Sequence, residues 1–381
     1  MDRVKIGLVG SGFAAALHME AYKQVYGIEP WVAAVASPSE RAGDFAREYG
    51  IPSVYRCMEE VIRKERPDVV DICSPPSLHA PMIGSAMGAG CHVICEKPLT
   101  GWFGDSAEPD MAKKVMEQLE QLRRVVERSG RKFFYAENFI YAPAVQKSAS
   151  LIRAAGEHIL FMRGEESHSG SHAGHAALWS MNGGGSLIRQ GCHPLSALLY
   201  LKQLENGKGA KAVGVTADMG YIVPTLNEEE RKNIQARPKD VEDLANVILT
   251  FEDGTKALIT AGDMILGGVR NEIQVYTTGG VYQCRIAPSD QMTTYHVEDE
   301  KLSGQYFTEK VETKKGWQSI FLCEDMARGY VGELRDFLLC AAGRKGEPES
   351  GFSLAYDTVR IIYGAYCSAR EGRRIERSEA R

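Results

Sequence analysis

The chain has 381 residues, of which 44% are hydrophobic, with a formal net charge of -5 and nine cysteines. That is enough apolar content for two domains with their own cores. There is no basic stripe for nucleic acid, no run of like charge, and no apolar run near the ~20 residues a membrane span needs.

The sequence opens straight into a strand over 4–9, with no charged-then-apolar leader ahead of it. The cysteines form no Cys-x-x-Cys pair. They read as reduced core residues of a cytoplasmic protein.

In chain order, the first 136 residues alternate short apolar runs with amphipathic stretches, the rhythm of a parallel α/β sheet. The predicted strands are 4–9, 31–36, 69–73, 92–95 and 133–136. The predicted helices are 14–26, 39–49, 57–64, 78–89 and 111–128. A helix over 143–155 follows, then longer alternating segments at 158–165, 212–218, 244–251, 255–263 and 272–277. These predict an open, mainly antiparallel sheet, closed by helices at 330–342 and 353–371. The fold class is therefore α/β: a Rossmann dinucleotide-binding domain over 1–136, then an α/β domain over 137–381. The charged stretch 224–238 reads as a surface excursion.

Between the first strand and helix lies Gly10-Ser11-Gly12-Phe13-Ala14-Ala15. Gly10 allows the tight turn, Gly12 lets the backbone approach a pyrophosphate, and Ala15 permits close helix packing. The same spacing also suits a strand–helix turn with no ligand. The second strand runs into Ser37-Pro38-Ser39 without the acid that binds a ribose 2′-hydroxyl. Ser37 can bond a hydroxyl or a 2′-phosphate, so NAD and NADP both stay open.

Lys97, in Glu96-Lys97-Pro98, sits at the carboxyl end of a strand, where such folds hold ligands. Partial burial is expected to lower its pKa and let it move protons; Glu96 is expected to orient the turn. The run Gly183-Gly184-Gly185 precedes a helical stretch with Arg189 and His193 one turn apart. The glycines read as a close approach to a ligand, and His193 as an acid/base.

Four segments in this order, GLVGSGFAAALH, EKPLTG, GGGSLIRQGCHPL and VEDLANVILTFEDGT, resemble the glucose-fructose oxidoreductase / inositol dehydrogenase / rhizopine-catabolism (Gfo/Idh/MocA) family. The resemblance implies hydride exchange between a nicotinamide and a sugar, sugar acid or polyol. It implies catalytic roles at Lys97 and His193, and a nicotinamide-side loop at Ser74, Pro75 and His79. It also implies a homo-oligomer, dimer or tetramer, built through the open sheet. Two other uses of the scaffold stay open: transient oxidation driving glycoside cleavage, elimination or epimerisation, and a non-catalytic dinucleotide-sensing regulator.

One departure stands out. The family often has Asp-x-Gly-x-His where this chain has Arg189-Gln190-Gly191-Cys192-His193. Arg189 either binds an anionic substrate group or forms an ion pair with Glu165 or Glu166. Three histidines fall in eight residues, His168, His172 and His175. Their spacing matches no standard zinc pattern, so no metal is expected, and His168 and His172 are the residues that would hold one. The favoured reading is a sugar-binding loop, with Trp179 giving an apolar face.

Overall fold

A computed structural model describes residues 2–171, 173–205, 211–287, 293–296, 307, 310–311, 313–319 and 324–377. The strands of the first sheet are β1 (Arg3–Val9), β2 (Glu29–Ala36), β3 (Ser53–Tyr55), β4 (Val69–Ile72), β5 (His92–Glu96) and β6 (Phe133–Ala136). They run parallel in the order β3-β2-β1-β4-β5-β6. β4 and β6 are buried along their whole length, as parallel strands covered on both faces must be. The connecting helices are α1 (Phe13–Tyr22), α2 (Ala42–Tyr49), α3 (Met58–Glu65), α4 (His79–Gly88) and α5 (Met111–Ser129).

Two helix bounds differ from expectation. α1 stops at Tyr22 because the next amides, Gln24 N and Val25 N, tighten to i→i+3 bonds before Gly27 turns at φ +81°. α2 starts three residues late because Ser39 closes its own turn, accepting from Arg41 N at Oγ and from Ala42 N at its carbonyl.

Two helices lead on, α6 (Asn138–Tyr141) and α7 (Pro143–Ala155). The second sheet contains β7 (Ile159–Ser167), β8 (Ala212–Gly220), β9 (Leu244–Phe251), β10 (Lys256–Gly262), β11 (Arg270–Thr277) and β12 (Val281–Arg285). A last short strand, Ile375–Glu376, completes the order β12-β11-β7-β10-β9-β8-(375–376). Only the β7–β10 pair is parallel.

Its inner face packs on α9 (Cys192–Gln203), whose residues from Cys192 to Lys202 are all buried. The short helix α8 (Trp179–Asn182) precedes it. Of the closing helices, the Tyr330–Ala341 helix packs on α1 and the Phe352–Glu371 helix on α5, α9 and β8, so the chain's end returns to both sheets. One continuous apolar core results. Among the described residues, no helix is long and apolar enough to cross a membrane.

The stretch 224–238 is less of a surface excursion than its charge suggests. Val223, Ile234 and Ala236 bury against one another, and the amides of Gln235 and Ala236 both donate to Ser169 O. The segment therefore folds over the loop that follows β7.

The triple glycine also has a different task from the expected one. A Cβ at Gly184 would meet the Tyr366 hydroxyl, and one at Gly185 the Glu242 backbone carbonyl. The run admits protein, not ligand. Buried Glu242 then caps the helical turn that follows, accepting from Gly185 N at 2.9 Å, Leu187 N at 2.9 Å and Tyr366 OH at 2.9 Å. Glu242→Ala strands two buried amides and a phenol. Urea denaturation is expected to show a loss of about 2–4 kcal/mol; a loss under 0.5 kcal/mol would mean that water replaces the cap.

Candidate active site

The carboxyl ends of the first sheet's strands gather the groups the sequence singled out. Gly10 turns at φ +109°, and a Cβ there would lie 2.5 Å from Cys73 O. Gly12, the N-cap of α1, has no side-chain cap and open space where its Cβ would be. Phe13 is 70% exposed and Ala15 is buried against the sheet. This open helix N-terminus, framed by a glycine no side chain could replace, fits a dinucleotide pyrophosphate. Ser37, buried after β2, accepts from Ser11 Oγ at 2.9 Å.

Three cofactor-side candidates play a supporting part. His79 is buried, with Nδ1 2.7 Å from Pro98 O and Nε2 2.9 Å from Ser74 O. It pins the loop after β4 to the turn after β5 and has no ring nitrogen left for a ligand. Ser74 Oγ contacts Met82 Sδ at 3.4 Å, and Pro75 opens the short turn of Pro76–Leu78.

Glu96 ends β5, and its Oε2 accepts from Lys97 N at 3.0 Å. Lys97 Nζ crosses to the second sheet and donates to Arg189 O at 2.9 Å. The receiving carbonyl, which also takes a long contact from Cys192 Sγ at 3.8 Å, is open to the lysine for a local reason. Leu187–Gly191 forms a π-helical turn ahead of α9. In that i→i+5 register Arg189 O faces Pro194, which has no N–H.

The expectation for the Lys97 ammonium is overturned. Burial works against its charge, but Cys192, Glu96, Glu166 and Glu137 outweigh burial and hold it above the usual lysine range.

His193 is buried on the first turn of α9, where its ring stacks on Phe139 with centroids 4.9 Å apart. Its Nδ1 lies 2.5 Å from Glu137 Oε1, just past β6, and Nε2 is 4.0 Å from Glu166 Oε2 on β7. Burial raises the Glu166 carboxyl above its ordinary value, with His193, Lys97 and Arg328 pulling the other way. His193 thus contacts two carboxylates whose charges also act on Lys97. Neither acid was singled out from sequence as a catalytic group. Glu137 carried the better signal, as the residue directly after a strand end.

Arg189 pairs with Asp263, which also accepts from Gln190 Nε2. The expected partners are engaged otherwise: Glu165 lies 3.4 Å from Arg270 Nε, and Glu166 faces His193. The π-turn breaks the one-turn spacing that would have set Arg189 beside His193. Arg189 and Asp263 line a small cavity of about 100 Å³ with Ser171, Gln235 and Arg237.

His168 is mostly buried, its Nδ1 accepting from Gly170 N at 2.9 Å and lying 3.8 Å from Asp263 Oδ1. His172 lies outside the described residues. Trp179 offers no open face for a sugar. It is buried, with Nε1 donating to Trp102 O and its ring 5.0 Å from that of Tyr366.

A parallel sheet with an open glycine turn, facing a second sheet across a buried cluster of charges, defines a two-domain dinucleotide-dependent enzyme. Residues 4–128 match the family model of an oxidoreductase family with an NAD-binding Rossmann fold, and residues 158–283 match its GFO/IDH/MocA C-terminal domain. The chain belongs to the Gfo/Idh/MocA family of oxidoreductases.

It is 22% identical to the D-apiose dehydrogenase of Paraburkholderia graminis, over 99% of this chain and 90% of that one. It is 31% identical to the inositol 2-dehydrogenase of Rubrobacter xylanophilus, over 42% of this chain and 43% of that one. Among solved structures, it resembles GenD2 from gentamicin A biosynthesis in complex with NAD. That match has a TM-score of 0.80 at 22% identity and covers 99% of this chain and 97% of that one. Scyllo-inositol dehydrogenase from Lactobacillus casei gives a TM-score of 0.74 at 17% identity, over 98% and 99% of the two chains.

The two glycines of the turn separate folding from binding. Gly10→Ala is expected to lower stability by about 1–3 kcal/mol through its positive φ and the carbonyl behind it. Gly12→Val is expected to keep the melting temperature while weakening NAD binding at least tenfold in titration calorimetry. Unchanged NAD affinity in Gly12→Val would place the pyrophosphate elsewhere.

Proposed function

We propose that the protein oxidises a secondary hydroxyl of a neutral sugar or polyol, or reduces the matching ketone, with the nicotinamide lying against the turn after β5. The observation that carries this reading is the meeting of Lys97 and His193 at Glu137 and Glu166. The names of the relatives, D-apiose and inositol dehydrogenases, agree with it. The bound nicotinamide supplies the hydride chemistry.

The chain's own residues handle the proton and the charge. With Nδ1–H donated to Glu137, the His193 ring presents Nε2 as the base for the substrate hydroxyl. Lys97 stays an ammonium and stabilises the alkoxide by charge and hydrogen bonding, rather than relaying the proton as a base. Hydroxyl binding falls to polar groups around the cleft, His168 among them. No acid closes the ribose end of β2, so the reading admits NADP beside NAD.

His193→Gln is expected to lower kcat by about 10²–10⁴-fold. Lys97→Met is expected to do the same while NAD affinity changes little. A 340 nm absorbance screen over neutral and acidic sugars and polyols with both cofactors supplies the substrate. Full activity in both variants would end this reading.

The Arg189–Asp263 pair supports a neutral substrate, because the arginine charge is already met. Asp263→Asn should therefore raise kcat/KM for uronates relative to neutral sugars by about tenfold or more, since it frees a guanidinium that a carboxylate can bind bidentately. A ratio unchanged by the substitution would remove the pair from specificity.

The outer face of the second sheet carries Phe161, Tyr276, Ile248 and Leu258. This supports self-association of copies through that sheet.

A further inference from the structure

Behind the turn that carries Lys97 lies a chain of buried charges with no place in the chemistry so far. His18, on α1, is fully buried. Its Nδ1 lies 2.9 Å from Asp71 Oδ2 on β4, and its Nε2 lies 3.2 Å from Glu96 Oε1 on β5. The Tyr22 hydroxyl donates to the same Asp71 oxygen at 2.8 Å, and Cys73 Sγ is 3.5 Å from His18 Nδ1.

From the Tyr330–Ala341 helix, buried Glu333 faces this group with neither carboxylate oxygen bonded. Burial pushes its carboxyl well up, so it adds no charge. Burial also opposes the charge on His18, but Asp71 and Cys73 outweigh it and hold the imidazole well above its ordinary value. The ring is therefore an imidazolium between two carboxylates.

Glu96 is engaged at both oxygens: Oε2 accepts the Lys97 amide, and Oε1 lies in ion-pair contact with His18 Nε2, outside hydrogen-bond geometry. A carboxylate fixed in this way fixes the backbone from which Lys97 reaches Arg189 O. It also keeps a full negative charge beside the ammonium.

We propose that His18 is a positioning residue for the reaction: with Asp71 behind it, it holds Glu96 so that Glu96 sets both the place and the charge of Lys97. This rests on the reading of Lys97 as a group of the active site. Without the imidazolium, the buried Glu96 charge loses its largest compensation and keeps chiefly Lys97, so its carboxyl takes up a proton more readily. Lys97 then loses one of its three carboxylates and its pKa falls.

The test is a double-mutant cycle with His18→Gln, Glu96→Gln and the pair. It is read by kcat on the fastest neutral substrate of the screen and by the pH dependence of Lys97 labelling with acetic anhydride, quantified by mass spectrometry. Each single variant should lower kcat about 10- to 100-fold, with KM and NAD affinity within threefold, and should move the Lys97 labelling midpoint down. The double variant should go no further than the worse single one. A purely structural histidine would instead cost melting temperature and leave the Lys97 midpoint where it is.

Effects that multiply in the double variant, or an unmoved midpoint, overturn the proposal. If Lys97→Met keeps full activity, the active-site reading has failed rather than the relay, and labelling still decides the coupling. If the variants do not fold, ¹⁵N-histidine spectra of the unaltered protein decide. His18 should carry protons on both ring nitrogens at pH 8.5, and a neutral ring there overturns the proposal.

Discussion

One hydrogen bond joins the two halves of the molecule where reaction would occur, from Lys97 Nζ at the end of β5 to Arg189 O ahead of α9. Both ends of it are prepared. On the first sheet, the lysine backbone is tied to Glu96. On the second, the carbonyl lacks a helical partner because a π-turn brings it to face a proline. Glu242 holds that turn at its start. The glycine run, the capping glutamate and Pro194 thus make a single local structure. Its effect is to point one carbonyl at one lysine and to set His193 beside Glu137.

The charges around this bond explain a division of labour that spacing could not reveal. A half-buried lysine alone would tend toward neutrality, as its desolvation demands. Cys192 and the carboxylates Glu96, Glu166 and Glu137 reverse that tendency. A lysine held as a cation is poor at taking a proton and good at stabilising an alkoxide. The proposed role of base then falls to the histidine, held at one nitrogen by an acid. The assignment of roles follows from which side chain has the acids around it, not from which has the more suitable unperturbed pKa.

Much of the first domain was legible because its determinants are local. Gly10 and Gly12 mark a turn through their own backbone demands, and apolar runs such as those at β4 and β6 declare buried parallel strands. The antiparallel strands β8, β9 and β11 were legible from alternation, for the same reason. What escaped was set by tertiary placement. β3 is only three residues long, and β12 is short and puts Val281 on its open side, which breaks the alternation. Glu137 and Glu166 look like ordinary acids until two sheets bring them to one histidine. The triple glycine was read as room for ligand, because sequence shows that a close approach is allowed but not what approaches. Arg189 had the same ambiguity: its ion pair was foreseen, but the partner came from β10's end, some seventy residues on.

The exchange of an acid for Arg189 would seem to deprive the site of a carboxylate. The structure supplies one from another direction, since Glu166 at the end of β7 lies 4.0 Å from the free nitrogen of His193. Burial raises its carboxyl, so it can sit beside the histidine without the full repulsion toward Glu137 that two ionised acids would suffer. Arg189, released from any part in proton transfer, turns to Asp263 and helps wall the small cavity closed by 235–238. The exchange therefore leaves the arginine paired with Asp263 at the wall of that cavity, its charge balanced by its neighbour.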